Sequence, residues 1–498
     1  MTLEERIRNA IETEADKLIL RYQQYHNTLH LEHQRKAQRT TGVPPKIVET
    51  PEAWQKSRLH NPFYVRRKAA SIARSVSKKI RDGSYLPNKP FVHRVAKTGG
   101  GFRKVSVYQV PDAAISRLFY VDLLAKNKHR FSSFCYAYRN DRNVHFAIQD
   151  IAVDLQDSSR TFVAEFDFSD FFGSIKHSFL LAQFDLNGFM VSRDDRLVIQ
   201  AFLNSYGDCG IPQGTSISLF LANMVCWELD KKLERCGVKF ARYADDTVIW
   251  SPDYAKICEA FACIDDFSRE ADVKINAMKS AGISLLKKKG MPAEMAPTDS
   301  IDFLGYSLSV GYVSIKSAAV ENIKSQISYI LAKHLLQPLR KTPLRALIIP
   351  ANDHDTALIS AMAEVRRYLY GGLTSQQILN YIHGKTRRIY FKGLMSYYPL
   401  ITDAEQLKML DGWLVSAVHR AVRERSRLLT SHGYTRGHSF PFNVPRRVLL
   451  AAYRGQLVNG KRRYEVPSLS LLHSALKQAL TENGIERVMN CRSLAYVY

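Results

Sequence analysis

The sequence predicts an α+β protein: an antiparallel sheet with helices, followed by a mainly α-helical C-terminal domain. Two segments, TFVAEFDF at 161–168 and FARYADDTVIW at 240–250, are rich in the β-branched and aromatic residues that favour strands. Beyond about residue 320 the pattern is mainly helical. A long helix separates the two strand-like segments, because apolar residues recur every four positions: Ile217, Leu221, Val225, Leu229 and Leu233.

The elements before residue 110 are two helices, a linker and a hairpin. Residues 1 to about 37 have the pattern of a polar amphipathic helix, which QRTTGVPPKIVETP then breaks with glycine and paired prolines. The segment NPFYVRRKAASIARSVSKKI has apolar residues at helical spacing, with its cations mostly off that stripe. FVHRVAKTGGGFRKVSVYQV is typical of two short strands joined by a glycine turn.

After residue 250 the sequence predicts a helix through AKICEAFACIDDFSREA, a short strand at VKINAM and a loop at LLKKKGMPAEMAP. A further hairpin is expected at QLVNGKRRYEV, where Asn459-Gly460 suits a two-residue turn. We divide the chain into three parts: a helical extension and linker over 1–59, a sheet-containing unit over 60–320, and a helical domain over 321–498.

The chain is strongly basic, which indicates a polyanionic partner. Its 498 residues hold 71 Lys and Arg against 47 Asp and Glu, a formal net charge of +24. Nucleic acid is the usual partner for such a surplus, and a merely basic surface is the alternative. We expect no membrane partner, because no apolar run is long enough to span a bilayer and the first residues contain no signal-peptide core.

The cysteines point to a reducing compartment. The seven of them form no CxxC pair, which argues against both a zinc site and a disulfide framework. Their odd number and irregular spacing fit the cytoplasm.

Asp245 and Asp246 place two like charges between apolar, strand-like runs. One interpretation is a hairpin turn, where aspartate is common. The other is a metal site, because adjacent carboxylates repel unless a cation lies between them, and hard oxygen ligands suit Mg²⁺. Asp167 ends another apolar strand. With that third carboxylate beside the hairpin, the set could hold two Mg²⁺ ions and serve in-line phosphoryl transfer.

Six segments occur in the order of the reverse transcriptase motifs: GGGFRKVSV, EFDFSDFFGSI, GIPQGTSISLFLAN, YADD, INAMKS and DFLGYSL. On these motifs the chain resembles a prokaryotic reverse transcriptase over roughly residues 60–320. The resemblance implies a right-hand polymerase palm and fingers there, with a thumb-like domain over 321–498. It further implies an RNA-directed DNA polymerase that uses deoxynucleoside triphosphates and two Mg²⁺ ions. One position departs from many relatives, since Leu219 stands where proline is common.

The resemblance also assigns roles around the metal site. The three aspartates match the metal-binding positions, with Asp245 the direct ligand of the adjacent pair, and the backbone carbonyl of Phe168 is expected to complete a metal shell. Phe172 matches the bulky position that abuts the incoming sugar and would clash with a 2′-hydroxyl; a core phenylalanine is the alternative. Lys279 matches a lysine that acts as general acid toward pyrophosphate, against the alternative of a solvated lysine.

Other matched residues are expected to contact nucleotide or nucleic acid. The nucleotide-binding set is Lys97, Arg103, Gln213 and Gly214. Lys97 and Arg103 flank the glycine turn and would bind the triphosphate. Gln213 and Gly214 lie in the loop that is expected beside the template base and incoming nucleotide. FLGYSL, with Gly305 and Tyr306, resembles the primer-grip hairpin, although the same letters suit plain sheet.

The C-terminal domain offers one more basic surface. In LKMLDGWLVSAVHRAVRERSRLL, Arg420, Arg423 and Arg427 share a helix stripe that could track a phosphate backbone, with a solvated face as the alternative. The sequence closes with RSLAYVY, whose Tyr496 or Tyr498 could prime synthesis; packing or fraying is the alternative.

Several motifs are absent, and their absence limits which group of reverse transcriptases the chain resembles. The chain lacks the NAxxH segment and VTG triplet of retron enzymes, the Cys/His endonuclease of many group II intron enzymes, and an acidic RNase H cluster after residue 320. What remains resembles the stand-alone defence-associated and abortive-infection group, which is linked to antiphage defence. That resemblance implies a non-coding RNA template, a DNA product, and assembly with copies of itself or with a partner protein.

Several alternatives stay open. The same aspartates could serve untemplated or protein-primed DNA synthesis, or a retron- or group II intron-type enzyme. An RNA-dependent RNA polymerase would usually carry GDD and a smaller residue near the sugar, so YADD and Phe172 argue against it. A catalytically dead RNA-binding scaffold usually loses a carboxylate, whereas all three are present here.

Overall fold

A computed structural model describes residues 1–38, 41–96, 101–156, 158–280, 282–341, 356–433, 445–453 and 465–489. Lys97, the hairpin expected at Asn459-Gly460 and the two C-terminal tyrosines, Tyr496 and Tyr498, lie outside these described residues. Inside the described ranges the last strand ends at Ile315 and only helices follow, as the sequence predicts. No helix of this described part is both long and apolar enough to cross a bilayer.

The N-terminal region is a helical layer with one hairpin. Its helices are α1 (Leu3–Ala37), α2 (Glu52–Lys56), α3 (Pro62–Arg81), α4 (Val110–Asn127) and α5 (Val144–Gln156). The Thr2 side chain caps α1, and Asn61 caps α3 by accepting two backbone N–H groups. α1 packs along α3 and α4. Between α3 and α4, the antiparallel strands β1 (Phe91–Ala96) and β2 (Phe102–Val107) confirm the predicted hairpin.

A five-stranded sheet forms the centre of the molecule, in the order β4-β5-β3-β6-β7. Its strands are β3 (Arg160–Phe166), β4 (Lys239–Tyr243), β5 (Asp246–Ser251), β6 (Gly282–Lys287) and β7 (Pro297–Thr298). Strand β3 is antiparallel to both β5 and β6, so its C-terminal end lies beside the β4–β5 turn. The helices around it are α6 (Phe171–Ser174), α7 (His177–Leu186), α8 (Arg193–Leu203), α9 (Ile217–Val225), α10 (Trp227–Arg235) and α11 (Tyr254–Ala271).

Both faces of the central sheet are buried. Successive side chains of a strand point to opposite faces, and here Val163 and Val248 join a core shared with the C-terminal helices. Ala164 and Ile249 join a second core shared with α1, α3, α4 and α9. Packing on both sides holds the sheet rigidly, so groups at its edge have fixed positions.

A second sheet leads into the C-terminal helices. Its order is β10-β9-β8, with strands β8 (Ile301–Phe303), β9 (Tyr306–Ser309) and β10 (Tyr312–Ile315). The helices that follow are α12 (Ser317–Leu331), α13 (Gln337–Lys341), α14 (Thr356–Tyr370), α15 (Ser375–Ile382), α16 (Ala404–Ser431), α17 (Arg446–Tyr453) and α18 (Leu469–Met489). Lys333 bridges Glu32 of α1 at 3.1 Å and Glu364 of α14 at 3.2 Å, so the first helix reaches the C-terminal region.

Three local predictions were wrong. The single helix expected from 217 is two helices, broken at Cys226. A four-residue repeat drifts about 40° per step around a straight helix, so it does not by itself keep one face buried over 17 residues. VKINAM is a turn that makes one bridge, from Ile275 to Phe168, rather than a strand. The predicted loop at 285 begins inside β6, because Leu285 and Leu286 pair with β3 and are fully buried.

Candidate active site

Strand pairing brings Asp167 beside Asp246. In the register of β3 and β5, Phe166 lies opposite Thr247. One residue further along, two antiparallel strands place Asp167 next to Asp246 at the end of the ladder. Asp245 directly precedes Asp246, so the three predicted aspartates lie together at the C-terminal end of β3, the central strand of the sheet.

The turn that carries the aspartate pair is tight and strained. Tyr243 pairs with Asp246, and only Ala244 and Asp245 lie between the two strands. Ala244 has φ of +63°, in the left-handed region that residues with a side chain seldom adopt. Strain of this kind collects at functional sites, where the surrounding structure holds it in place.

The carboxylates at this end of β3 repel one another. Burial, together with the charges of Asp167, Asp245 and Glu165, raises the pKa of Asp246 to about 7. Lys279 acts in the opposite direction. Glu165 was not predicted as part of the site, although its place one residue before the end of β3 is readable in the sequence. The cluster is therefore short of positive charge.

Lys279 and Asn276 hold Asp167 from the neighbouring turn. Lys279 Nζ lies 3.0 Å from Asp167 Oδ2, and Asn276 Nδ2 donates to the same oxygen at 2.9 Å. The Asn276 backbone N–H donates to the Asp167 carbonyl at 2.8 Å. The structure thus brings the predicted lysine to the aspartates, and Asn276 is a partner that sequence reasoning missed.

The donor set fits a hard divalent cation. Among the described residues, no group of three or more His, Cys, Asp or Glu side chains is already gathered as metal ligands. The carboxylates nevertheless offer only oxygen donors, and the raised pKa of Asp246 shows that burial and negative neighbours disfavour its ionised form. Phe168 follows Asp167 directly, with its ring buried against Phe171 and Phe267, which fixes the backbone at that position.

Phe172 lies beside the loop that leads into α9. Its ring is half-buried, edge-on to Phe171 with centroids 5.7 Å apart. Its carbonyl accepts the N–H of Ile211 at 2.6 Å, which joins α6 to this loop. The proposed contact with the sugar stays a prediction.

Gln213 and Gly214 join the same loop to the β1–β2 hairpin. The Gln213 carbonyl accepts the N–H of Ser106 in β2 at 2.9 Å. Gly214 has φ of +111°, and a Cβ there would lie 2.3 Å from the Ser106 carbonyl oxygen. The close approach that requires glycine is therefore to β2. Arg103 occupies β2 opposite Val95, and its side chain is outside the described part.

The predicted primer-grip hairpin joins β8 to β9 through Leu304 and Gly305, both with positive φ, +49° and +85°. Phe303 pairs with Tyr306 across the turn. Tyr306 is fully buried, and its hydroxyl donates to the Tyr397 carbonyl at 2.8 Å. Its ring is thus enclosed in the core, unlike the exposed ring expected of a nucleic-acid contact, while Gly305 lies at the turn.

The C-terminal arginines lie on α16, far along the chain from the aspartates. Arg420, Arg423 and Arg427 are all exposed, on the face opposite the buried apolar stripe. Arg427 Nη1 lies 3.0 Å from Glu424. The basic stripe is present as expected, and its contact with a phosphate backbone stays a prediction.

Arg242 is a further residue of the site that the sequence reasoning missed. It is fully buried one residue before Tyr243, with its guanidinium against Asp230 of α10. The sequence contains one sign of this role: Arg242 is a lone cation in the otherwise apolar, strand-like segment FARY, and a buried charge needs a buried partner.

Strands β3, β4 and β5 are antiparallel and present clustered carboxylates at the end of the central strand, with a lysine beside them, an arrangement typical of nucleotidyltransferases. The family described as "Reverse transcriptase (RNA-dependent DNA polymerase)" matches residues 95–308, which is under half of the chain and includes the three aspartates. The protein therefore contains a reverse transcriptase domain. Its fold is the predicted α+β polymerase fold, and its enzyme class is RNA-directed DNA polymerase.

Solved structures show a distant likeness. Telomerase from Candida albicans in complex with a fragment of telomeric RNA is 11% identical at a TM-score of 0.35, covering 77% of this chain and 69% of that one. Telomerase from Candida tropicalis in complex with such a fragment is 13% identical at a TM-score of 0.36, covering 82% and 76%. The search of curated proteins finds no significant sequence match. The domain assignment rests on the family match.

Proposed function

We propose that this protein copies an RNA template into DNA at the cluster of Asp167, Asp245 and Asp246, served by two Mg²⁺ ions. The proposal rests on the three carboxylates lying together at the end of β3. There, burial and negative neighbours raise the pKa of Asp246 to about 7. When bound, the ions would activate the primer 3′-hydroxyl and neutralise the triphosphate. The three aspartates and the Phe168 carbonyl would hold them.

The chain's own side chains then orient the substrate. Lys279, as an exposed ammonium 3.0 Å from Asp167, can donate a proton to departing pyrophosphate. Phe172 would exclude a 2′-hydroxyl and so select deoxynucleotides. The triphosphate would be bound by Lys97 and Arg103, and the nascent pair would lie beside the loop containing Gln213 and Gly214.

Nucleic acid would extend from this site over the C-terminal region. The turn at Gly305 would contact the primer, and the buried ring of the next residue, Tyr306, would hold that turn in place. The stripe of Arg420, Arg423 and Arg427 would bind backbone phosphates, since all three are exposed. This assignment keeps the division into an extension over 1–59, fingers and palm over 60–320, and a thumb-like domain over 321–498.

We further propose a role in cytoplasmic antiphage defence, with a dedicated non-coding RNA as template. Support comes from the resemblance to stand-alone defence-associated enzymes and from the net charge of +24, which suits a nucleic-acid partner. Assembly with further copies or with a partner protein belongs to the same proposal.

Alanine at both Asp245 and Asp246 tests the proposal. The variant is expected to lose deoxynucleotide incorporation on an RNA template and, in cells, to lose protection in a phage plating assay. A second adjacent pair, Asp265 and Asp266 on α11, is exposed and bound to Arg269, so its double alanine variant is the matched control. Synthesis retained by the first variant would contradict the site, and protection without synthesis would favour a scaffold.

A further inference from the structure

The buried side chain of Arg242 is bonded to the backbone of the aspartate turn. Both Arg242 and Asp230 are 0% exposed. The guanidinium donates from Nε and Nη2 to the two carboxylate oxygens of Asp230, each at 2.6 Å. Its third nitrogen, Nη1, donates to the carbonyl of Ala244 at 2.9 Å. One planar group therefore joins α10 to the turn that carries Asp245.

The remaining contacts fix the guanidinium from two other directions. Nη1 also lies 3.4 Å from Asn223 Oδ1 of α9, and Nη2 lies 3.1 Å from Cys135 Sγ. Asn223 in turn donates to the Ala137 carbonyl at 2.8 Å. Although burial disfavours the charge, the Asp230 carboxylate raises the pKa of Arg242 well above its ordinary value, so the cation persists. Only a fork of fixed N–H groups can serve all these acceptors at once.

The bond to Ala244 sets the direction of the turn. Ala244 is held at φ of +63°, which a residue with a Cβ adopts at a cost. Its carbonyl points inward to Arg242. Because a trans peptide is planar, the N–H of Asp245 on the same peptide points the opposite way, out of the core. The orientation of the Asp245 backbone thus follows from the guanidinium.

We propose that Arg242, fixed by Asp230, is a positioning residue that holds the strained turn and so sets the carboxylates of Asp245 and Asp246 for divalent metal. The inference rests on the proposed function. A buried ion pair contributes little net stability compared with apolar packing, so its use here is orientation. Arg242 itself touches neither substrate nor metal.

The test is Arg242→Lys, read by Mn²⁺ binding in an electron paramagnetic resonance titration of the full-length protein and by incorporation at fixed metal. Lysine keeps the charge but cannot bond both Asp230 and the turn, so Mn²⁺ affinity is expected to fall about 10- to 100-fold. Arg139→Lys is the matched control, because Arg139 is also buried, with two bonds to Asp141 and one to the Ser132 carbonyl. Its Mn²⁺ affinity should stay at the wild-type value.

Thermal unfolding distinguishes a role of Arg242 in positioning the metal ligands from a role in stability alone. If Arg242→Lys lowers the melting temperature like Arg139→Lys but binds Mn²⁺ as wild type, the inference is overturned. Ala244→Gly gives a second test that keeps the core intact. While Arg242 holds the turn, this variant should keep most of its Mn²⁺ affinity; a large loss would mean that the alanine, not the guanidinium, fixes the turn.

A double variant measures the coupling. Glycine accepts the left-handed conformation freely, so Arg242→Lys with Ala244→Gly should recover part of the lost affinity, whereas strictly additive losses would contradict a shared role. Wild-type protein that neither binds Mn²⁺ nor incorporates nucleotides would overturn the proposed function and this inference together. A competent wild type with an unchanged Arg242→Lys variant overturns this inference alone.

Discussion

Two tight hairpins, β4–β5 and β8–β9, have similar turns but are held by different side chains. Each connects its strands through two residues, Ala244-Asp245 in the first and Leu304-Gly305 in the second, and each holds left-handed backbone. Beneath the first turn lies a buried ion pair. Beneath the second lie aromatic rings, with Tyr398 OH 3.3 Å from where a Cβ of Gly305 would be.

The difference shows what each turn has to do. At the second turn, aromatic packing is joined by one backbone hydrogen bond, in which the Gly305 carbonyl accepts the Lys316 N–H at 3.0 Å. The Arg242 guanidinium bonds the Ala244 carbonyl directly, which fixes a peptide plane beside the carboxylates. The carboxylate turn is thus held by a charged side chain, which is costly to bury, and the other turn by aromatic rings and a backbone hydrogen bond.

Removing the carboxylate that pairs with Arg242 is expected to reduce stability most. Asp230→Ala leaves Arg242 buried without its carboxylate and should lower the free energy of unfolding by about 3–5 kcal/mol, measured by urea denaturation. The control is Asp185→Ala, which breaks an ion pair with Arg196 at the same 2.6 Å separation but on the surface. That loss should stay below about 1 kcal/mol. Equal losses for the two variants would remove the basis of the comparison.

Exchanging the glycine between the hairpins gives the next effect. Gly305→Ala places a Cβ 3.3 Å from Tyr398 OH at φ of +85°, and should lower the free energy of unfolding by about 1–2 kcal/mol. Ala244→Gly relieves similar strain but loosens the unfolded chain, so the net change should be under about 1 kcal/mol. Denaturant melts of both variants check the signs. A strongly destabilised Ala244→Gly would contradict the strain assigned to the first turn.

A smaller effect is expected at Tyr306. Tyr306→Phe removes the hydroxyl that donates to the Tyr397 carbonyl, and should cost about 1 kcal/mol of stability. Because the ring is buried, affinity for a primer–template duplex should not change. A fluorescence binding titration measures this affinity, and a weakened complex at unchanged stability would mean that the tyrosine contacts nucleic acid after all.

The smallest effect concerns an ion pair that is only partly buried. The hydrogen bond from His334 Nε2, helped by Lys333, lowers the pKa of Glu364 from 4.5 to about 2. A lowered carboxyl pKa stabilises the fold above about pH 4.5, and this contribution is lost as the pH falls through 2. Melting temperatures recorded across that window should therefore fall less steeply in Glu364→Gln than in the wild type. Parallel curves would contradict the assignment.

Much of this site follows from the sequence alone. Asp167 at a strand end and the pair Asp245-Asp246 within a hairpin are visible as charges interrupting apolar runs, and the structure brings them together at one sheet edge. The long helices at the N terminus follow from apolar spacing and caps. These features are local, so short windows of sequence contain the information.

The rest depends on contacts between distant segments. The role of Arg242 requires Asp230, Asn223 and Cys135, which come from three other parts of the chain. From the sequence, Tyr306 could belong to a primer-grip hairpin or to plain sheet, and the structure encloses its ring and bonds its hydroxyl to the Tyr397 carbonyl. The run LLKKK from residue 285 suggests the start of a loop, while pairing with β3 makes its first three residues the end of β6. Tertiary pairing overrides local preference in each case.

Synthesis of DNA on an RNA template by the aspartate cluster can be tested directly. The most direct measurement is to purify the protein from its host with bound nucleic acid and to sequence both RNA and DNA, beside the Asp245→Ala, Asp246→Ala variant. We expect one co-purifying RNA with complementary DNA in the wild type, and the RNA alone in the variant. DNA of simple sequence with no matching RNA would contradict this expectation and indicate untemplated synthesis.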